Sequence, residues 1–122
     1  MSDQPVVDQG AEDRRLLVQA LDFLRNQSEF AFQLFEASFL LPDTKNRSRE
    51  YGIFLEAAIH ALQSGDPSFT SERTRTWMVR AVMTVAFCWA TDPERRADAK
   101  RLVILSRSIQ DGEIIQFYQE KP

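Results

Sequence analysis

The chain has one cysteine, Cys88, and one histidine, His60, among its 122 residues. A lone thiol cannot close an intramolecular disulfide, and a chain that does without disulfides reads as cytoplasmic. A single imidazole leaves Ser-His-Asp or Cys-His nucleophilic arrangements nothing to draw on but His60. The four glycines stand apart from one another, so no glycine-rich loop exists to cradle a phosphate. Long apolar runs are also missing. The nearest, WMVRAVMTVAFCWA at 77–90, is interrupted by Arg80 and falls short of the roughly 20 residues needed to cross a bilayer. The opening MSDQPVVDQG is polar and acidic, without the basic start and apolar stretch of a secretory signal.

What remains is an ordinary globular composition. The apolar fraction is 43% and the net charge −3, values at which a chain of this length buries a core without disulfide or metal support. An acidic balance argues against nonspecific nucleic-acid binding. The charge is unevenly spread: residues 1–43 carry eight acids against three bases, 44–91 six bases against four acids, and 92–122 are balanced.

Apolar spacing predicts an all-α fold of about five helices. Residues 1–10 read as a flexible leader, 11–110 as a single helical domain, and 111–122 as a C-terminal tail packing on the domain or on a partner. Leu16, Leu17, Ala20, Leu21 and Leu24 recur at three- and four-residue intervals and place the first helix at about 11–26. The second spans about 28–41, separated from the first by a short break at Asn26–Ser28 or continuous with it, and stopped by Pro42. Tyr51, Phe54, Leu55, Ala58, Ile59 and Leu62 give the third, about 46–63, the cleanest one-sided pattern. Gly65 and Pro67 end it. The fourth, about 71–90, has Thr70 or Ser71 as its cap. TDPE at 91–94 starts the fifth, with Asp92 as cap and Pro93 in the first turn, running to about 110. In the tail, Asp111-Gly112 makes either a hairpin turn or a helix stop, and 112–119 a strand or a short helix, with the helix favoured.

The second helix poses the main question. On a helical wheel Phe32, Phe35 and Phe39 fall on one side, and Phe30, Leu34, Ala37 and Leu41 on roughly the opposite side. Only Glu29, Gln33 and Glu36 form a polar strip, with Leu40 intruding. One contact surface cannot hide two apolar faces. The fourth helix is apolar around well over half its circumference, with Arg73, Thr76, Arg80 and Thr84 as its polar wedge, and so is expected to be the central, buried helix. A second helix of that kind is surplus unless it is sandwiched within the monomer. The alternative is that Phe32, Phe35 and Phe39, with Ile115 and Phe117 of the tail, meet another chain, most simply in a symmetric homodimer.

Catalytic and metal chemistry find little support. Glu56 and His60 sit four apart on the polar side of the third helix, half of what a helical metal site requires, and no Glu-x-x-His pairs recur. Cys88 lies in an apolar run and reads as packing. No cofactor and no metal are expected. The bases of the fifth helix, with Arg96, Lys100 and Arg107 on one side, form a possible anion or nucleic-acid patch, although Asp92, Glu94 and Asp98 are spaced to pair with them. HALQSGDPSFTSERTRTW has helix-turn-helix spacing, but Trp77, Met78 and Val82 make the second helix too apolar to enter a groove. A hydrophobic-ligand pocket between the second and fourth helices is a further reading. The leading expectation is a non-enzymatic protein-binding module, a small regulator, adaptor or inhibitor, with a nucleic-acid-associated regulator as the alternative.

Overall fold

The computed structural model describes residues 9–39, 47–64 and 71–112. Among them it is all-helical and contains no strand: α1 (Gln9–Asp22), a π-helical turn (Phe23–Gln27), α2 (Glu29–Ala37), α3 (Arg47–Ser64), α4 (Glu72–Trp89) and α5 (Arg96–Gln110). The leader at 1–8 and the tail from 113 onward, with Ile115 and Phe117, lie outside the described residues. Gln9 and Gly10, read from the sequence as leader, already belong to α1.

The break between the first two helices is real and has a local cause. The chain widens into a π turn, closed by Ser28 N–H donating to the Phe23 carbonyl at 3.0 Å. The Asp22 carboxylate brackets the turn, accepting from the Asn26 and Gln27 amides at 2.7 and 2.6 Å. Ser28 then adopts extended backbone angles, and its hydroxyl accepts from Ala31 N–H at 3.1 Å. That bond restarts the helix by satisfying one of the donors a helix start leaves orphaned.

Helix α2 ends at Ala37, ahead of the Pro42 that sequence alone makes its stop. Ser38 Oγ donates to the Phe35 carbonyl at 2.7 Å, and Arg80 of α4 donates to the Ser38 carbonyl. These bonds occupy carbonyls that would otherwise need a further helical turn. Ser71 caps α4 by accepting from Thr74 N–H at 3.1 Å. At the other boundary, Asp92 does not cap α5. Its carboxylate accepts from Glu94 N–H at 3.0 Å within a separate turn, and the helix begins at Arg96. Arg95 leaves helical geometry there and lays its guanidinium 4.2 Å from the centre of the Trp89 ring. Gly112 stops α5. Its N–H donates to the Ile109 carbonyl at 3.0 Å, and its φ of +83°, open to glycine at little cost, takes the backbone out of helical angles.

Helix α4 packs against α1, α2, the π turn and α5, with α5 its most extensive neighbour. Met78, Val82 and Val85 are buried without residual exposure, as are Leu17 and Leu21 of α1, Leu55 and Leu62 of α3, and Leu102 and Ile109 of α5. Each such side chain contributes about 1.5–3 kcal/mol of transfer free energy. The phase of α4 differs from the expected polar wedge. Thr84 is buried, its hydroxyl donating to the Arg80 carbonyl at 2.7 Å, while Met83 and Phe87 face outward.

One charged side chain is also inside. Asp13 of α1 is 5% exposed and meets Arg101 of α5 in a two-bond fork, Nε to Oδ1 at 2.9 Å and a terminal nitrogen to Oδ2 at 2.7 Å. Gln9 adds a third bond to Oδ1 at 2.9 Å. The Asp13 hydrogen bond outweighs desolvation and holds Arg101 further into the alkaline range than an ordinary guanidinium. Arg101 therefore serves as a clamp between α1 and α5, apart from the other bases of its helix.

Candidate interaction surface

The two faces of α2 meet different fates. Phe35 is fully buried, and Phe32 and Phe39 pack against the core. They join an aromatic cluster spanning three helices. Phe39 stacks on Tyr51 of α3 with ring centres 4.6 Å apart, Phe35 meets Phe39 edge-on at 5.1 Å, and Trp77 of α4 closes on both Phe39 and Tyr51 at 5.4 and 5.1 Å. Phe54 completes it at 5.4 Å from Trp77. Such pairs each add about 0.5–1.5 kcal/mol beyond burial. For Phe35 and Phe39 the expectation of meeting another chain is thereby corrected, since Tyr51 of α3 and Trp77 of α4 supply their ring partners within one copy; Phe32 is half-buried beside Phe35.

The opposite face stays open. Phe30 is 65% exposed, and one turn later Leu34 is half-buried at the wall of a groove. That groove, of about 700 Å³, runs between α2 and α4, with Val79, Met83 and Phe87 along its α4 side and Gln110 of α5 at one end. A second groove of about 300 Å³ lies between α4 and α5, bordered by Met83, Phe87, Ala99 and Val103. Met83 and Phe87, 41% and 70% exposed, are the wall common to both. Exposed apolar side chains grouped along a groove, as Met83 and Phe87 are here, are candidates for an interaction surface.

The arginines sort into two groups around this surface. Arg73 and Arg80 lie over aromatic rings, 4.7 Å from the centre of Trp77 and 5.2 Å from that of Phe39, and roof the buried cluster. Arg96, Lys100 and Arg107 are exposed, and none of them forms an ion pair with Asp92, Glu94 or Asp98. Arg96 and Lys100 border the α4–α5 groove; Arg107, two turns beyond Lys100, is not part of its lining. The structure brings two of the three candidate cations to an apolar groove, a position that spacing on α5 alone did not reveal.

The sparse chemistry found in the sequence lies elsewhere. Glu56 pairs with Arg25 of the π turn at 2.6 Å, and His60 is exposed one turn away. Among the described residues no three His, Cys, Asp or Glu side chains approach closely enough to hold a metal ion. Burial pushes the Cys88 thiol up, away from the reactive thiolate. No described helix is long and apolar enough to cross a membrane.

Sequence reasoning missed Met83, Phe87 and Leu34 as a surface. Met83 and Phe87 sit in the most apolar stretch of the chain, and spacing on the fourth helix did not single them out. Their four-residue spacing, in register with Val79, was the available signal. Comparison with known protein families, with curated proteins and with solved structures finds no match to this chain.

Proposed function

We propose that this chain is a non-enzymatic protein-binding module, a small cytoplasmic regulator, adaptor or inhibitor that works through an apolar helical surface. The observation that carries the reading is the exposed pair Met83 and Phe87, standing as the shared wall of two grooves. Burying each of these side chains in a complex would contribute about 1.5–3 kcal/mol, a gain a lone copy forgoes. With Leu34 alongside and Arg96 and Lys100 at the edge, the surface resembles the apolar core and polar rim of an interface. Self-association is one way to cover it. Arg96 and Lys100 beside an apolar groove favour a protein partner over nucleic acid, which would be met by bases without an oily strip between them.

The test is the double variant Met83→Glu, Phe87→Glu, compared with the parent chain by circular dichroism, thermal melting, light scattering and capture of partners from native extract. The expected result is an unchanged spectrum and melting temperature with loss of assembly or of a captured protein. A variant that associates as the parent does would remove this surface as the binding site.

A further inference from the structure

The geometry points to an acidic amphipathic helix as the partner that fits the α4 surface. This deepens the protein-binding reading and rests on it. The apolar strip runs along one helix through Val79, Met83 and Phe87, four residues apart. At 1.5 Å per residue it extends roughly 12 Å, about two helical turns. A partner helix lays anchors at i, i+3 or i+4, and i+7 into a groove of that length. Leu34 of α2 stands along one side of the strip and Val103 of α5 along the other.

Charge supplies the second half of the argument. Arg80 stands beside Val79 where the strip begins, Arg96 and Lys100 lie toward the end of α4, and Glu72 is the one carboxylate among the described residues lining either groove. Arg80 is held by a backbone carbonyl and an aromatic face, both of which leave its positive charge uncompensated. Arg96 and Lys100 form no ion pair among the described residues. Cations therefore bound the oily strip at both ends, in a chain whose net charge is −3. A helix with apolar anchors between acidic flanks matches that pattern, and a basic helix is repelled by it.

The probe is a displayed library of helical peptides about 16 residues long, sufficient for measurable helicity. Leu or Phe is fixed at the anchor positions, and every flanking position is randomised. Selection uses the full chain, with counter-selection against Met83→Glu, Phe87→Glu. Recovered sequences are expected to be enriched in Asp and Glu at the flanks. A selected peptide should bind the charge-reversal variant Arg96→Glu, Lys100→Glu about three- to tenfold more weakly than the parent, and its Lys-flanked counterpart should bind the parent no better than background.

Flanks of random charge, or indifference to the reversal, would overturn the acidic partner while leaving apolar docking intact. An empty selection would overturn the helical partner, and the protein-binding reading would then stand or fall by the capture experiment. Binding seen only after deletion of residues 113–122 would make the chain's own tail the occupant. A dimer in solution that the peptides cannot displace and that Phe87→Glu dissociates would make it a second copy.

Discussion

Trp77 and Phe87 belong to the same helix, yet the chain treats them in opposite ways. Trp77 sits where α2 and α3 both approach α4, and it gathers Phe39, Tyr51 and Phe54 around it with Arg73 above. Phe87 sits at the shared edge of two grooves and is 70% exposed. The side chains are similarly apolar, so hydrophobicity does not distinguish them. What differs is how closely the neighbouring helices approach. Rings from beyond the end of α2 and from α3 close on Trp77 at 5.1–5.4 Å and complete a cluster, whereas beside Phe87 the groove walls stand apart. The same holds for α2, whose two faces are both apolar, while Phe35 is fully buried and Phe30 is 65% exposed.

The sharpest way to break this contrast is to truncate one ring on each side. Phe35→Ala removes a fully buried ring from the aromatic cluster and should cost about 3–5 kcal/mol in chemical denaturation. A loss below about 1 kcal/mol would mean that the cluster is loosely packed and that the two faces are not so different. The matching truncation, Phe87→Ala, belongs at the other end of the scale, within about 0.5 kcal/mol. A larger cost there would show that Phe87 is part of the fold.

Between these extremes lies the clamp that holds α5 on α1. Asp13→Ala leaves the Arg101 guanidinium without its fork. Because the Arg101 side chain is 37% exposed, water compensates in part, and the expected loss is about 1–3 kcal/mol. A double-mutant cycle with Arg101→Met isolates the pair, and a coupling near zero would reclassify it as an ordinary surface contact. Smaller still, and opposite in sign, is Gly52→Ala. A methyl group there meets only the Arg25 guanidinium, at 3.5 Å or more, an ordinary contact. Removing the flexibility of a helix-interior glycine should stabilise the protein by about 0.5–1 kcal/mol. Destabilisation instead would show that Arg25 needs the space to reach Glu56.

Much of the fold was readable in the residues. Leu17, Ala20, Leu21 and Leu24, or Leu55, Ala58 and Leu62, announce buried helical faces because a one-sided apolar stripe has a single way to be hidden. Boundaries followed at Ser28, Ser71 and Gly112, where a local hydrogen bond decides them, but not at Asp92, whose equally local bond to Glu94 N–H closes a separate turn ahead of α5. They failed where a distant side chain intervenes, as when Arg80 takes the Ser38 carbonyl and α2 ends ahead of its proline. The candidate site was half legible: an apolar excess on α2 was evident, but the more open face is that of Phe30 and Leu34, while Phe35 is buried and Phe32 and Phe39 are half-buried.

Sequence by itself determined that the chain is helical, where most helices begin and end, and that α2 carries two oily faces, since these depend on periodicity and on bonds between near neighbours. Tertiary structure alone decided which face is covered, that Asp13 and Arg101 lock together, and that Met83 and Phe87 stand beside Arg96 and Lys100, which form no ion pair among the described residues. Those outcomes turn on which helices approach one another in space, and residues far apart in the chain do not declare that in advance.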